Sequence, residues 1–184
     1  MPLGRWRKLK QSFELKNPWW TYRRDDVRLP SGKQGEYHFV HTNGSSMVIP
    51  LLDEGRLILV DQYRYLADKE SFEFPCGSVK DGSTYEETAR HELAEETGFQ
   101  AREIKCIAEF NPYNGVTDEM CKVYIARDLY RVDVKPDDTE EFEQLHLSVG
   151  EFDARVKSGE IWDGMTLAAW ALVKDRLVLG EAAK

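Results

Sequence analysis

The chain of 184 residues is 41% hydrophobic, enough for one compact domain with a small extra lobe. Its formal net charge of −8 excludes the broad positive field that holds a nucleic-acid backbone, whereas a small phosphate ester is compatible if a divalent cation supplies the missing charge. Three cysteines, Cys76, Cys106 and Cys121, contain no C-x-x-C pair, and the basic start through Lys10 leads into no apolar run suited to a signal peptide or membrane span, so a reducing cytoplasm and no membrane association are expected.

In chain order, residues 12 to 40 read as strands and turns. Trp19, Trp20 and Tyr22 are β-prone, and the turn-rich PSGKQG segment from Pro30 to Gly35 precedes a run from Glu36 to Val40. This is expected to form a small antiparallel lobe, residues 1–43, which buries little alone and needs a packing partner. The remainder, residues 44–184, is expected to be the main domain. Ser46–Leu52 and Arg56–Tyr63, joined at Asp53–Gly55, read as a hairpin of buried strands. Further strands are predicted at Ser71–Pro75, Ile104–Phe110, Met120–Ala126 and Gln144–Ser148, with helices at about 84–97, 151–158 and 165–178. In the last helix, Leu167, Ala168, Ala171, Leu172 and Val178 read as the apolar stripe. Mixed strands with helices give an α/β (α+β) class, a mixed sheet covered by helices on both sides.

The helix at 84–97 carries the chemistry. Its approach is punctuated by Gly77 and Gly82, and Ser83 is the expected N-cap, with Glu86 at capping-box spacing. Tyr85, Ala89 and Leu93 recur every fourth residue, while Glu92, Glu95 and Glu96 share another face, where their charges repel unless a cation lies there. A solvated acidic stripe would look similar, but hard oxygen donors on a rigid helix after a glycine loop are what Mg²⁺ requires.

The stretch GSVKDGSTYEETARHELAEETGF, Gly77 to Phe99, resembles the Nudix box, G-x5-E-x7-R-E-U-x-E-E-x-G-U with U an apolar residue. Gly77, Glu92, Leu93, Glu95, Glu96 and Gly98 match, and Phe99 fits loosely. Ser83 stands in place of the first Glu and His91 in place of the Arg. The resemblance implies a Nudix α/β/α sandwich with divalent cations, Mg²⁺ or Mn²⁺ as a substitute, held by Glu92, Glu95 and Glu96. The family's Arg braces a neighbouring glutamate, which His91 mimics in part, and Arg90 is the other basic residue placed to assist.

Asp61–Arg64 and Glu73–Gly77 resemble the Q-Y-R and E-L-P-A-G segments of the ADP-ribose and nucleoside-diphosphate-sugar branch, in which a β-rich lobe precedes the core. By that resemblance Arg64 would hold a phosphate, Glu73 would contact substrate or metal, and the carbonyl of Cys76 would be a metal ligand. In the segment from Phe110 to Gly115, Asn114 replaces a proline associated with ADP-ribose preference, which opens the choice to other nucleotide sugars. Glu141, then Glu140, match the loop position of a catalytic glutamate. Trp19, Trp20 and Tyr22 are candidates to stack on the base, and the lobe implies a homodimer. The implied activity splits a nucleoside diphosphate sugar, ADP-ribose-like or GDP-mannose-like, into a nucleoside monophosphate and a sugar phosphate. Alternatives are dinucleoside polyphosphates, NADH or RNA 5′ ends as substrates, or a catalytically weak nucleotide-binding module.

Overall fold

The structure, a computed structural model, describes residues 3–133 and 143–178. The chain forms two compact units, Met1–Asn43 with Asn111–Glu119, and Gly44–Phe110 with Met120–Lys184.

The first unit is an antiparallel sheet of β1 (Arg7–Lys16), β2 (Thr21–Arg28) and β3 (Gln34–His41), in that order. β1 begins earlier than the sequence pattern suggests, because its basic residues are matched across the ladder. Lys8 pairs with Asp25 at 2.8 Å, Lys10 with Asp26 at 3.5 Å, and Arg23 reaches back to Glu14 at 2.9 Å. Trp19 and Trp20 lie in the turn before β2, correcting their expected place in a strand. Asn17 Oδ1 accepts both of their backbone N–H groups at 2.9 Å, a turn that out-competes strand propensity. The 111–119 segment joins β3 through Val40 N–H to the Val116 carbonyl at 2.8 Å and through His41 Nδ1 to Asp118 Oδ2 at 2.7 Å. Trp6 packs edge-on against Tyr37, and Trp6, Phe13, Leu15 and Trp19 are all exposed.

The second unit contains β4 (Ser45–Pro50), β5 (Arg56–Arg64), β6 (Lys69–Glu73), β7 (Cys76–Ser78), α1 (Tyr85–Thr97), β8 (Phe99–Phe110), β9 (Cys121–Arg131), β10 (Glu143–Ser148), α2 (Val149–Ser158) and α3 (Gly164–Val178). One sheet has the order β7-β4-β9-β8, mixed because β4 and β9 run parallel; the other, β10-β5-β6, is antiparallel. The expected β4–β5 hairpin is therefore corrected. A tight turn does join them, with Gly55 N–H donating to the Leu52 carbonyl at 2.8 Å, but after the Leu51–Leu57 bridge each strand enters a different sheet. Strands apolar on both faces carry no sign of which neighbour they will choose.

Alternate residues of the central strands feed two cores. Val48, Ile58 and Tyr124 pack with Ala89 and Leu93 beneath α1, whereas Ile49, Leu59 and Val123 pack with Phe152 and Trp170 beneath α2 and α3. Helices thus cover both sides, as expected. In α3 the buried positions are Thr166, Ala169, Trp170 and Val173, not the predicted stripe, and Leu172 is exposed. Large Trp170 and hydrogen-bonding Thr166, which accepts the Phe74 N–H at 3.2 Å, set the inward face of the helix.

The N-cap of α1 is Thr84, one residue beyond the expected Ser83. Ser83 and Thr84 each precede a glutamate by three residues, but the Ser83 N–H is taken by the Lys80 carbonyl at 3.0 Å, leaving Ser83 in the preceding turn. Thr84 Oγ1 accepts the Glu87 N–H at 3.2 Å, while Glu87 Oε2 accepts the Thr84 N–H at 2.7 Å. The backbone bond from Thr84 first, then its hydroxyl, hold the Glu87 carboxyl below the usual range. A carboxyl depressed in the folded state adds stability above its unfolded pKa and loses it as pH falls through the folded value. Thr84→Ala is expected to cost about 1 kcal/mol at neutral pH in urea unfolding, with the deficit shrinking on acidification. An undiminished deficit at pH 3 would detach the cap from Glu87.

Candidate metal and active site

α1 is held at both ends. The Ser46 hydroxyl on β4 donates to the Tyr85 carbonyl at 2.6 Å, Gly98 closes the helix with φ 67°, and Gln144 on β10 donates to the Thr97 carbonyl at 2.8 Å. The helix therefore fixes three glutamates in adjoining turns. Glu96 is buried, 7% exposed, and Glu92 and Glu95 are half-buried. His91, Glu92 and Glu95 each offer one ligand atom within 4.8 Å of the others, and His91 Nδ1 lies 2.9 Å from Glu95 Oε2.

β7 passes beside this group. A Cβ on Gly77 would meet the Glu92 carboxylate and displace it, so glycine leaves the acid its place beside the strand. Cys76 is next to it: hydrogen bonding to Cys121, then burial and the charges of Glu96 and Glu92, push its thiol well above the ordinary range. Ser78, Lys80, Ser83, Thr88, His91 and Glu92 border an open cleft of about 180 Å³, together with Glu87. Ser83, in the place of the box's first glutamate, lines this cleft.

The donor set fits a divalent cation: the Glu92 and Glu95 carboxylates lie together with His91, Gly77 leaves Glu92 its place, and Glu96, which is buried, stands outside that compact group. Arg90 does not assist them. It binds Glu86 Oε1 at 2.9 and 3.0 Å and the Ala101 carbonyl at 3.1 Å, so the basic side chain next to Glu95 is that of His91. Sequence reasoning treated His91 as a deficient arginine; the signal it passed over was an imidazole beside Glu92 and four residues before Glu95, which puts all three on one helix face.

Arg64 and Glu73 meet one another. Arg64 Nε donates to Glu73 Oε1 at 2.7 Å, a second guanidinium nitrogen binds Oε2, and Gln62 adds a bond at 3.3 Å. Glu73 is buried but Arg64 is half exposed, so the guanidinium is aimed by an acid without being enclosed. Asp61, three residues before Arg64 on β5, has its carboxyl raised by burial and then by Glu70 and Glu143. Trp19, Trp20 and Tyr22 lie in the first unit, Trp19 and Trp20 exposed and Tyr22 hydrogen-bonded to His38 Nδ1 at 2.6 Å. Glu140 and Glu141 lie outside the described residues. Among the described residues, no helix is long and apolar enough to cross a membrane.

The chain is similar to ADP-ribose pyrophosphatase of Bacillus subtilis (strain 168), 33% identical over 147 residues that cover 79% of this chain and 80% of the relative. GDP-mannose pyrophosphatase of Citrobacter koseri is 27% identical over 133 residues, covering 68% and 70%. A crystal structure of ADP compounds hydrolase superposes with a TM-score of 0.85 at 21% identity, covering 99% of this chain and 98% of the other, and so shares the fold. Residues 6–40 match the nucleoside diphosphate sugar hydrolase N-terminal domain. Residues 42–168 match the NUDIX domain, so the chain belongs to the Nudix family and is a hydrolase of phosphoanhydride bonds.

Proposed function

We propose that the protein hydrolyses the diphosphate linkage of a nucleoside diphosphate sugar, ADP-ribose-like or GDP-mannose-like, to a nucleoside monophosphate and a sugar phosphate. The observation that carries this reading is the grouping of Glu92 and Glu95 with His91 on α1, Glu92 lying against Gly77, in a chain whose residues 6–40 match the N-terminal domain of nucleoside diphosphate sugar hydrolases.

Nudix hydrolases generally use a divalent metal, and here Mg²⁺, with Mn²⁺ as a substitute, would be held by Glu92, Glu95, Glu96 and the Cys76 carbonyl. When bound, it supplies positive charge to the diphosphate and makes water a stronger acid. The chain's residues do the rest. Glu73 orients Arg64 so that the free edge of its guanidinium meets a phosphate. Glu141, or Glu140 beside it, takes the proton as a water oxygen bonds to phosphorus and the bridging P–O bond breaks. The exposed faces of Trp19 and Trp20, with Tyr22, suit stacking on a base. The exposed aromatic sheet of the first unit also suits pairing of two copies, making a homodimer.

Purified protein with Mg²⁺ should be offered ADP-ribose, GDP-mannose, UDP-glucose, NADH and dinucleoside polyphosphates, with the products identified. Release of a nucleoside monophosphate and a sugar phosphate from one of the sugars is expected. Turnover confined to the dinucleotides, or thermal stabilisation by nucleotides without any product, would replace the proposal.

A further inference from the structure

The Nudix box places an arginine where this chain has His91, and the two side chains differ in kind. A guanidinium has donors only, whereas an imidazole offers a nitrogen lone pair. His91 is exposed at the cleft wall and stands within the group that includes Glu92 and Glu95. Its Nδ1 is 2.9 Å from Glu95 Oε2, where the ring N–H donates to the carboxylate and leaves the lone pair on Nε2, and a mixed nitrogen and oxygen set spanning no more than 4.8 Å is compact enough for one ion.

We propose that His91 is a nitrogen ligand of the divalent-ion site, so that the site prefers an imidazole-favouring first-row ion such as Fe²⁺, Co²⁺ or Zn²⁺ over Mg²⁺. This rests on the reading that Glu92 and Glu95 hold the ion. Mg²⁺ favours oxygen donors and sheds water reluctantly, while later first-row ions gain from imidazole. The rival role for His91 is to position Glu95 through their hydrogen bond. That role would affect every ion alike, since Glu95 would be misaimed for all of them.

The two roles separate in metal binding to the full chain. Calorimetric titrations of metal-free protein with Co²⁺ and with Mg²⁺ should be paired with proton NMR of the Co²⁺ form, for wild type, His91→Gln and His91→Arg. The expected result is tighter binding of Co²⁺ than of Mg²⁺ in wild type, with a hyperfine-shifted, solvent-exchangeable imidazole N–H. Both variants should lose that signal and about tenfold or more in Co²⁺ affinity, with Mg²⁺ affinity kept. Co²⁺ bound without the imidazole signal, or equal losses for both ions in the variants, overturns the ligand role while the carboxylate reading stands. Failure of both ions to bind wild type overturns both.

Discussion

Replacing Glu96 by glutamine is expected to lower turnover of a nucleotide sugar by at least about a hundredfold, more than the loss typical when a group supporting a metal ligand is removed. The two side chains have nearly the same shape, so the change is one of charge. Glu96 is 7% exposed, in the turn after Leu93, on a helix capped at both ends and tied to β4 and β10. Local structure therefore survives the substitution. Removing one of several neighbouring anions relieves repulsion, so metal-free Glu96→Gln should unfold at a denaturant concentration equal to or above that of wild type. Steady-state kinetics with Mg²⁺, alongside far-ultraviolet circular dichroism and urea unfolding, provide the check. Turnover above half the wild-type value would remove Glu96 from the metal set.

Phe152→Ala should cost about 3–5 kcal/mol, the largest stability loss expected from one substitution in the second unit, and lower the melting temperature by roughly 6–20 °C. Phe152 is fully buried where β6, α2 and α3 meet. Its ring stacks on Phe74 with centroids 5.1 Å apart and 12° between planes, and its centroid lies 4.4 Å from that of Trp170. Truncation leaves a space that two rigid rings cannot close, so the cavity contribution adds to the lost burial. Phe74 directly follows Glu73, so kinetics of the variant also test whether the core beneath Arg64 sets its aim. A loss below about 1 kcal/mol in chemical unfolding would show that Phe74 and Trp170 collapse into the gap.

The parts of the molecule governed by short-range spacing were legible in the sequence. Gly77, the three glutamates, Leu93 and Gly98 sit within one strand end and one helix, and their relative placement follows from helical period alone. Competition between near-equal local choices was harder to read. Ser83 and Thr84 both satisfy the capping pattern, and one backbone bond to Lys80 decided between them. Trp19 and Trp20 favour strands, yet Asn17 folded them into a turn. Long-range choices were the least visible. Nothing in the residues of β4 states that its neighbour is β9, some seventy residues later, in preference to β5 across a tight turn. The pairing of Arg64 with Glu73 was likewise hidden, since the pattern points Arg64 at a phosphate and Glu73 at substrate or metal.

Because successive residues of β4 and β9 serve opposite cores, chain length within those strands is a fixed quantity. Deleting one residue from β4 would send Val48 toward the side of Trp170 and Ile49 toward the side of Leu93, exchanging the lining of both layers at once. Insertions and deletions are absorbed most readily where the chain leaves the ladders, as at Asp53–Gly55 or in the turn at 112–115. A chain that diversifies its substrate range by altering length must therefore do so in its turns, while the segments that carry the glutamates change only by substitution.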